Sequence, residues 1–413
     1  MSETQVVDLP QPASERLSSL DAYRGLAMAL MLGEALHLRK VADAVPDSRF
    51  WSFLANHQTH VEWAGCSLHD LIQPSFTFMV GVSLPFSISA RTARGQSKLR
   101  LTVHAFWRAL ILVALGIFLR SLGKERTYFT FEDTLTQIGL GYGFLFLLGL
   151  LRWPYQIAAL FVVLAGYWGA FAASPLPPAD FDRESVGVSS EWSKEHDYQG
   201  FAAHWNKNTN LAWKFDTWFL NLFRHTTDDG SGREVEEPFR FNRGGYATLS
   251  FIPTLGTMIL GLLAGGVLKS ESPSSRKLLR LVFASVLCFG VSLALDVTGT
   301  GPIVKRIWTP SWTLFSGGWC FLAMAMFYGI IDVMRFKAWA YPLVVVGMNS
   351  IVAYCMEWVA VAFAADALIR HLGHRPFNAF GDAYEPFVLG AGVLALLWLV
   401  LFWMHRHRIY VRI

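Results

Sequence analysis

Apolar stretches long enough to cross a membrane recur along most of the chain. A helix needs roughly 20 mostly apolar residues to span the hydrocarbon of a bilayer, and this length criterion predicts about ten spans. They lie at residues 20–38, 70–90, 103–121, 134–151, 153–173, 246–268, 278–296, 310–332, 338–366 and 386–405. One long polar stretch, 174–245, separates the fifth span from the sixth. The pattern therefore predicts an all-α, polytopic integral membrane protein.

Composition supports the same class. Of the 413 residues, 53% are hydrophobic and 16% are charged, whereas soluble proteins carry about 25% charged residues. The net charge is only +4, and the basic residues are scattered over short loops, which argues against a nucleic-acid partner. Three of the four cysteines lie inside apolar segments, so we expect buried free thiols rather than disulfides.

The short-loop basic residues predict the orientation. Arginine and lysine are enriched on the cytoplasmic side of membrane proteins. Here they are concentrated in 91–100, 269–280 and 335–337 and at Arg406, Arg408 and Arg412. With about ten spans, all of these positions would lie on the same side of the membrane. We expect a cytoplasmic tail (1–19), five spans with an outer loop around His60 (20–173), an outer region (174–245), five more spans (246–405) and a second cytoplasmic tail (406–413).

Proton-transfer groups are concentrated just before the second predicted span. His60, Glu62 and Asp70 stand there together, and a neutral imidazole, with an unperturbed pKa of about 6.5, is a natural general base or acyl acceptor. The alternative is that His60 is a solvated loop residue and Asp70 the N-cap of the next helix. A metal site built from His57, His60 and His69 is a further alternative, but the spacing is not typical of zinc ligands, and no metal is expected.

Polar side chains inside the predicted spans need partners or a water-filled cavity. Glu34 and Glu357 indicate a lined cavity, while Gln137 and Asn349 fit a hydrogen bond between helices equally well. Asp21 and Arg24 have the spacing of a helix-starting ion pair. Alternatively, Arg24 joins Arg91, Arg94 and Arg108 in a basic cytoplasmic rim suited to a phosphorylated cofactor.

The outer region contains an amphipathic segment at 213–223, rich in aromatic residues and including Trp218. Its apolar spacing favours a helix lying in the membrane interface. Because Asn, Asp and Trp also suit a sugar ligand, binding of a glycan by this region is the alternative interpretation.

Five short motifs occur in the same order as in a known family. They are Ser19-Leu-Asp21-Ala-Tyr-Arg24-Gly25, His60-Val-Glu62-Trp63-Ala-Gly65, Asp70-Leu-Ile-Gln-Pro74, Gln137-Ile-Gly139-Leu-Gly-Tyr142 and Gly347-Met-Asn349-Ser350. With these motifs, the chain from about residue 17 to about residue 360 resembles the heparan-α-glucosaminide N-acetyltransferase family and its bacterial relatives. The stretch at His60 and the Gly-Met-Asn-Ser stretch are the most specific.

The resemblance implies an acyl-CoA-dependent transmembrane N-acetyltransferase. It would move an acetyl group from cytoplasmic acetyl-CoA to an amino sugar or related glycan on the far side of the membrane. We expect the region 174–245 to shape an acceptor pocket different from that of the family's lysosomal member. The family's catalytic histidine corresponds to His60, as general base or transient acetyl carrier. Two departures stand out: the family's first-helix Asn falls in the Glu34-Ala35 region, and its Gln-Arg pair reads Thr136-Gln137.

The site residues expected for such an acetyltransferase fall into three groups. For catalysis they are His60, Glu62, Asp70 and Glu34; for acetyl-CoA they are Arg24, Ser83, Arg91, Arg94, Arg108 and Asn349; and for the acceptor they are Trp63, Glu357 and Trp218. The expected setting is a bacterial inner membrane, with a homodimer left open. Rival functions are a polytopic transporter of a polar or sugar-like solute and a catalytically inactive scaffold.

Overall fold

Helices dominate the computed structural model, which describes residues 17–223, 226–228 and 234–411. Arg412 of the predicted C-terminal tail and most of the predicted N-terminal tail lie outside the described residues.

The α-helices follow one another along the whole described chain. In order they are α1 Ser18–Leu32, α2 Leu38–Ala44, α3 Arg49–His57, α4 Ile72–Ala93, α5 Lys98–Arg120, α6 Thr134–Gly149, α7 Trp153–Ala173, α8 Ser190–His196, α9 Leu211–Phe219, α10 Phe251–Lys269, α11 Ser274–Val297, α12 Pro310–Phe327, α13 Tyr341–Met348, α14 Ser350–Val359, α15 Val361–Leu372 and α16 Glu385–Arg406. A π-helical turn, Tyr328–Val333, continues α12. Strands β1 Thr226–Asp228 and β2 Glu234–Glu236 pair antiparallel in the outer region.

Seven helical segments in the described part of the chain are long and apolar enough to cross a membrane. They are His69–Ala93, Lys98–Arg120, Trp153–Ala173, Thr248–Lys269, Ser274–Val297, Pro310–Val333 and Asp382–Arg406. Each coincides with a span predicted from the sequence, so the chain is an integral membrane protein built from α-helices. The full count of about ten spans remains a prediction.

The remaining three predicted spans differ in length or continuity. The prediction of one helix over 20–38 was wrong, because α1 ends at Leu32 and His37 turns the chain with φ +48°. The predicted helix over 338–366 is broken at Asn349, where α13 and α14 meet at 69°. The helix at 134–151 forms as α6 with 16 residues, shorter than a full span.

Glycines allow two pairs of helices to approach closely. Helix α1 crosses α13 at Gly25 and Gly347, and a methyl group on either would overlap a backbone carbonyl oxygen of the opposite helix. Helix α4 crosses α10 at Gly81 and Gly261 in the same reciprocal way. Small residues at such crossings let helix backbones pack in van der Waals contact. These contacts fix α1 and α4, and both helices contribute side chains to the cavity described below.

The outer region 174–245 uses its asparagines to hold its own backbone. Asn206 exchanges two hydrogen bonds with the backbone of Tyr198, at 2.8 and 3.0 Å. Asn208 Nδ2 donates to the carbonyl oxygens of Val186 (2.9 Å) and Asn242 (3.0 Å). The asparagine side chain at 210 caps α9. These amides are therefore occupied structurally, which weakens the interpretation that they bind a glycan.

We predict that Gly261→Ala destabilises the protein by about 1–3 kcal/mol, because its new methyl group would overlap the Phe78 carbonyl of α4. The matched control is Gly266→Ala on the same helix, where an added methyl group has no neighbour within 4 Å. The midpoint of thermal unfolding in detergent measures both. Equal midpoints for the two variants would show that the crossing is not closely packed.

Candidate functional site

The loop between α3 and α4 is held in shape by the carboxylate of Asp70. This side chain is fully buried and accepts hydrogen bonds from Ser67 N (2.9 Å), Ser67 Oγ (3.0 Å) and Val61 N (3.3 Å). On its other side the loop joins the segment before α12, since Gly65 N donates to Ile303 O at 3.1 Å. The loop and the segment around residue 304 are thereby fixed against each other.

His60, Asp70 and Lys305 form one contact group. His60 Nδ1 lies 2.7 Å from Asp70 Oδ1, and Lys305 Nζ lies 3.1 Å from the same oxygen and 3.0 Å from His60 Nδ1. Because a carboxylate only accepts, the short contact assigns the proton of the neutral imidazole to Nδ1, which donates to Asp70. The lysine then donates to Asp70, and Nε2 of His60 keeps a free lone pair.

The surroundings favour the neutral form of His60. Burial lowers the pKa of the imidazole, the hydrogen bond to Asp70 opposes that shift, and the charge of Lys305 lowers the pKa further. Burial also lowers the pKa of Lys305, against the attraction of Asp70. A neutral imidazole with an oriented Nδ1–H is the form that accepts a proton or attacks an acyl carbon.

His60 opens onto a cavity of about 570 Å³. Its walls come from the ends of α1, α4 and α6, from α14, and from the loops that carry Glu132, Tyr246 and Lys305. The wall also contains a pair formed by His69 Nε2 and Glu34 Oε1 at 3.0 Å, and the rings of His69 and His60 lie 4.4 Å apart. The cavity therefore brings together residues distant in the sequence around one imidazole.

Some of the acidic and aromatic residues predicted to form the site line this cavity, and others lie outside it. Glu34 and Glu357 line it together with His60, whereas Glu62 accepts a hydrogen bond from Trp192 Nε1 at 3.3 Å. Trp63 is buried against Trp192, and Trp218 is 61% exposed on α9. Of the carboxylates near His60 in sequence, Asp70 is thus its direct partner.

A second hollow, between α4, α5 and α6, contains two of the predicted basic residues. Arg91 and Arg108 line it with Ser87, His104 and Tyr142. Arg108 Nη1 donates to Tyr142 Oη at 3.1 Å, and the buried Nε2 of His104 has no hydrogen-bond partner in the described structure. Basic and hydroxyl groups converging in this way are typical partners of a phosphate, although the enclosed space itself is only about 10 Å³.

The other predicted donor-binding residues lie elsewhere. Arg24 donates to Ser83 Oγ at 2.7 Å and lies 3.5 Å from Asp21, so the expected ion pair forms. Arg94 is exposed at the end of α4. Asn349 is buried at the break between α13 and α14, and its side chain holds the C-terminal segment through Ile409 O (3.0 Å) and Val411 N (3.2 Å).

Two further expectations concern cysteines and metals. Cys66, Cys288, Cys320 and Cys355 are all free thiols. Within the described ranges, no three or more His, Cys, Asp or Glu side chains are grouped so that they could hold a metal ion.

Comparison with known proteins relates the chain to membrane acetyltransferases. No protein-family model matches it. It is 25% identical to human heparan-alpha-glucosaminide N-acetyltransferase over 389 residues, which cover 83% of this chain and 54% of the human protein. This similarity supports a relationship between the chain and that family. The mouse heparan-alpha-glucosaminide N-acetyltransferase is 31% identical over 105 residues, or 25% of this chain and 14% of the mouse protein. The chain thus spans about half the length of the human acetyltransferase.

Sequence reasoning missed Lys305 as a neighbour of His60. Lys305 is only 4% exposed and stands 245 positions from His60 in the chain. One signal was present: a lysine in a short loop predicted to face outward runs against the usual charge bias. A buried cation needs a partner, and Asp70 supplies it.

We predict opposite shifts of the His60 pKa in two variants. Lys305→Met raises it, because the lysine charge disfavours the imidazolium, and Asp70→Asn lowers it, because the carboxylate favours the imidazolium. Titration of isotope-labelled histidine by NMR measures both shifts. Lys214→Met is the control, since Lys214 donates instead to Ser174 Oγ at 3.2 Å. Shifts of the same sign in both variants would contradict the assigned contacts.

Proposed function

We propose that the protein is a transmembrane acetyltransferase that moves an acetyl group from cytoplasmic acetyl-CoA to an amino sugar of the glucosamine type, or a related glycan, on the far side of the membrane. The observation that carries this proposal is His60, oriented by Asp70 at 2.7 Å and facing a cavity. The relationship to a named N-acetyltransferase supports the reaction class.

The donor would bind along the bundle formed by α1, α4, α5 and α6. The hollow with Arg91 and Arg108 lies at one end of these helices and the cavity at the other. On α5, Arg108 lines the hollow and Arg120 lines the cavity, and twelve residues of helix span about 18 Å. This separation suits acetyl-CoA, in which an extended pantetheine arm joins the phosphates to the thioester. Arg91, His104 and Arg108 would hold the phosphates.

The acceptor would meet the donor at His60. Glu34, Glu132 and Glu357 line the cavity, and their carboxyl oxygens would accept hydrogen bonds from a cationic amine. His60 Nε2 then takes a proton from the ammonium, so that the free amine attacks the thioester carbonyl carbon. As the carbon–sulfur bond breaks, the thiolate takes the second proton lost by the attacking nitrogen and leaves as coenzyme A. Alternatively, Nε2 first attacks that carbon and transfers the acetyl group in a second step.

The proposed orientation follows the charge bias of the sequence. The short loops with Arg91, Lys277 and Arg335 would face the cytoplasm, as would both termini. The His60 loop and the region 174–245 would face outward, and the membrane would be the inner membrane of a bacterium.

Turnover by the purified protein tests the proposal. With acetyl-CoA and glucosamine, we expect coenzyme A release that depends on the amine and falls by at least about 100-fold in His60→Ala. His371→Ala, an exposed histidine on α15, is the control and should keep the native rate. If a folded native preparation released no coenzyme A, the proposal would fail, and solute uptake into proteoliposomes would test the transporter alternative.

A second prediction concerns the donor. Arg108→Gln should raise the KM for acetyl-CoA at least about tenfold, because losing a charged hydrogen bond costs about 1.5–3 kcal/mol. The KM for glucosamine should stay unchanged. Arg100→Gln, exposed near the start of the same helix, serves as the control. Steady-state kinetics with each substrate varied in turn decides, and an equal rise in both variants would count against a phosphate site in the hollow.

A further inference from the structure

Asp216, a carboxylic acid of the outer region, is buried without a full set of partners. Asp216 on α9 is 3% exposed. Its Oδ2 accepts a hydrogen bond from Thr248 N at 2.9 Å, while Oδ1 is enclosed and has no hydrogen-bond partner in the described structure. A buried carboxyl oxygen without a partner is costly. We therefore expect a proton or a water molecule at this oxygen.

Asp216 stands between two small hollows of about 10 Å³ each. One is bordered by Glu132, Tyr246 and Thr248, and the other by Asn210, Trp213 and Gly245. A hollow of this size has room for about one water molecule, which needs two to four polar neighbours. Both hollows have polar walls, but neither has the volume for a sugar ring.

The first hollow adjoins the His60 cavity. Glu132 and Tyr246 line both spaces, and the rings of Tyr246 and His60 lie 6.4 Å apart. Glu132 accepts a hydrogen bond from Asn242 Nδ2 at 2.5 Å and lies 3.7 Å from Arg120. A series of polar sites thus leads from His60 past Glu132 to Asp216 and on to the second hollow.

The proposed reaction releases a proton on this side. An amino sugar arrives largely as an ammonium ion, because the pKa of such an amine is about 8. Its acetylation gives a neutral amide, coenzyme A with a protonated thiol, and one proton that His60 has accepted. That proton must leave before the next turnover.

We propose that Asp216, together with Glu132, carries this proton from His60 to the outer solvent through the two hollows. The inference rests on the proposed function. The proton passes from Nε2 of His60 through water to the Glu132 carboxylate, and from there through water to Oδ1 of Asp216. The second hollow then delivers it outward.

The ionisation of the two acids agrees with this role. Burial raises the pKa of Asp216 to about 7, and the neighbouring charge of Glu132 raises it as well. Burial also raises the pKa of Glu132, against the attraction of Arg120 and with the repulsion of Asp133. Tyr167 also faces Asp216. An acid such as Asp216, with a pKa of about 7, can both accept and release a proton at neutral pH.

The test compares Asp216→Asn with the native chain in glucosamine acetylation from pH 6.5 to 9. The amide keeps the shape and the bond to Thr248 N but cannot carry the proton. At pH 6.5 we expect the turnover of Asp216→Asn to be at least about tenfold below native. The deficit should shrink above the pKa of the amine, because a neutral amine brings no surplus proton. Imidazole buffer should partly restore the rate at low pH.

Asp197→Asn is the matched control. The side chain of Asp197, also in the outer region, pairs with Arg183 through Oδ2, and its Oδ1 is enclosed without a hydrogen-bond partner as in Asp216. Unlike Asp216, it borders neither hollow. Any loss it causes should be equal at every pH and insensitive to buffer. The thermal unfolding midpoint of each variant separates loss of folding from loss of rate.

The results distinguish this inference from the proposed function. Native turnover together with an Asp216→Asn rate that is unchanged, or lowered equally at every pH without rescue, overturns the proton route alone. Absence of turnover in the folded native protein overturns the proposed function and this inference with it. A pH-dependent, buffer-rescued deficit confined to Asp216→Asn supports the route.

Discussion

The buried carboxylate of Asp70 is the interaction on which the candidate site depends. It accepts three hydrogen bonds from the loop before α4, a fourth from His60 and a fifth from Lys305. A buried charge with this many partners is stable only if all of them stay in place. The same group therefore shapes the loop, fixes the imidazole and anchors the segment before α12. Losing the carboxylate would disturb all three together.

The helices around this group carry a cavity at one end of the bundle and a basic hollow at the other. Glycine crossings bring α1 against α13 and α4 against α10, and a cavity forms at one end of the bundle where polar side chains gather. The basic hollow of α4, α5 and α6 lies at the other end. The proposed transfer of an acetyl group between compartments would use this arrangement: the basic hollow for a charged donor, a path for its reactive end, and a proton acceptor at the opposite end of the bundle.

The sequence predicted the parts of the structure that depend on local pattern. Seven apolar segments form helices of membrane-spanning length, and His60, Glu34 and Glu357 were expected at a cavity. It did not predict the break at Asn349 or the end of α1 at Leu32, because apolar periodicity continues through both. It also left three carboxylates as partners for His60. Lys305 and Asp216 approach the site only through contacts between distant segments, which spacing along the chain does not reveal.

The most direct test is a structure of the protein in a lipid nanodisc with a non-hydrolysable acetyl-CoA analogue bound. We predict that the phosphates lie against Arg91 and Arg108, and that the acyl carbonyl carbon lies within about 3.5 Å of His60 Nε2. An analogue bound with its acyl end outside the His60 cavity would contradict the central claim.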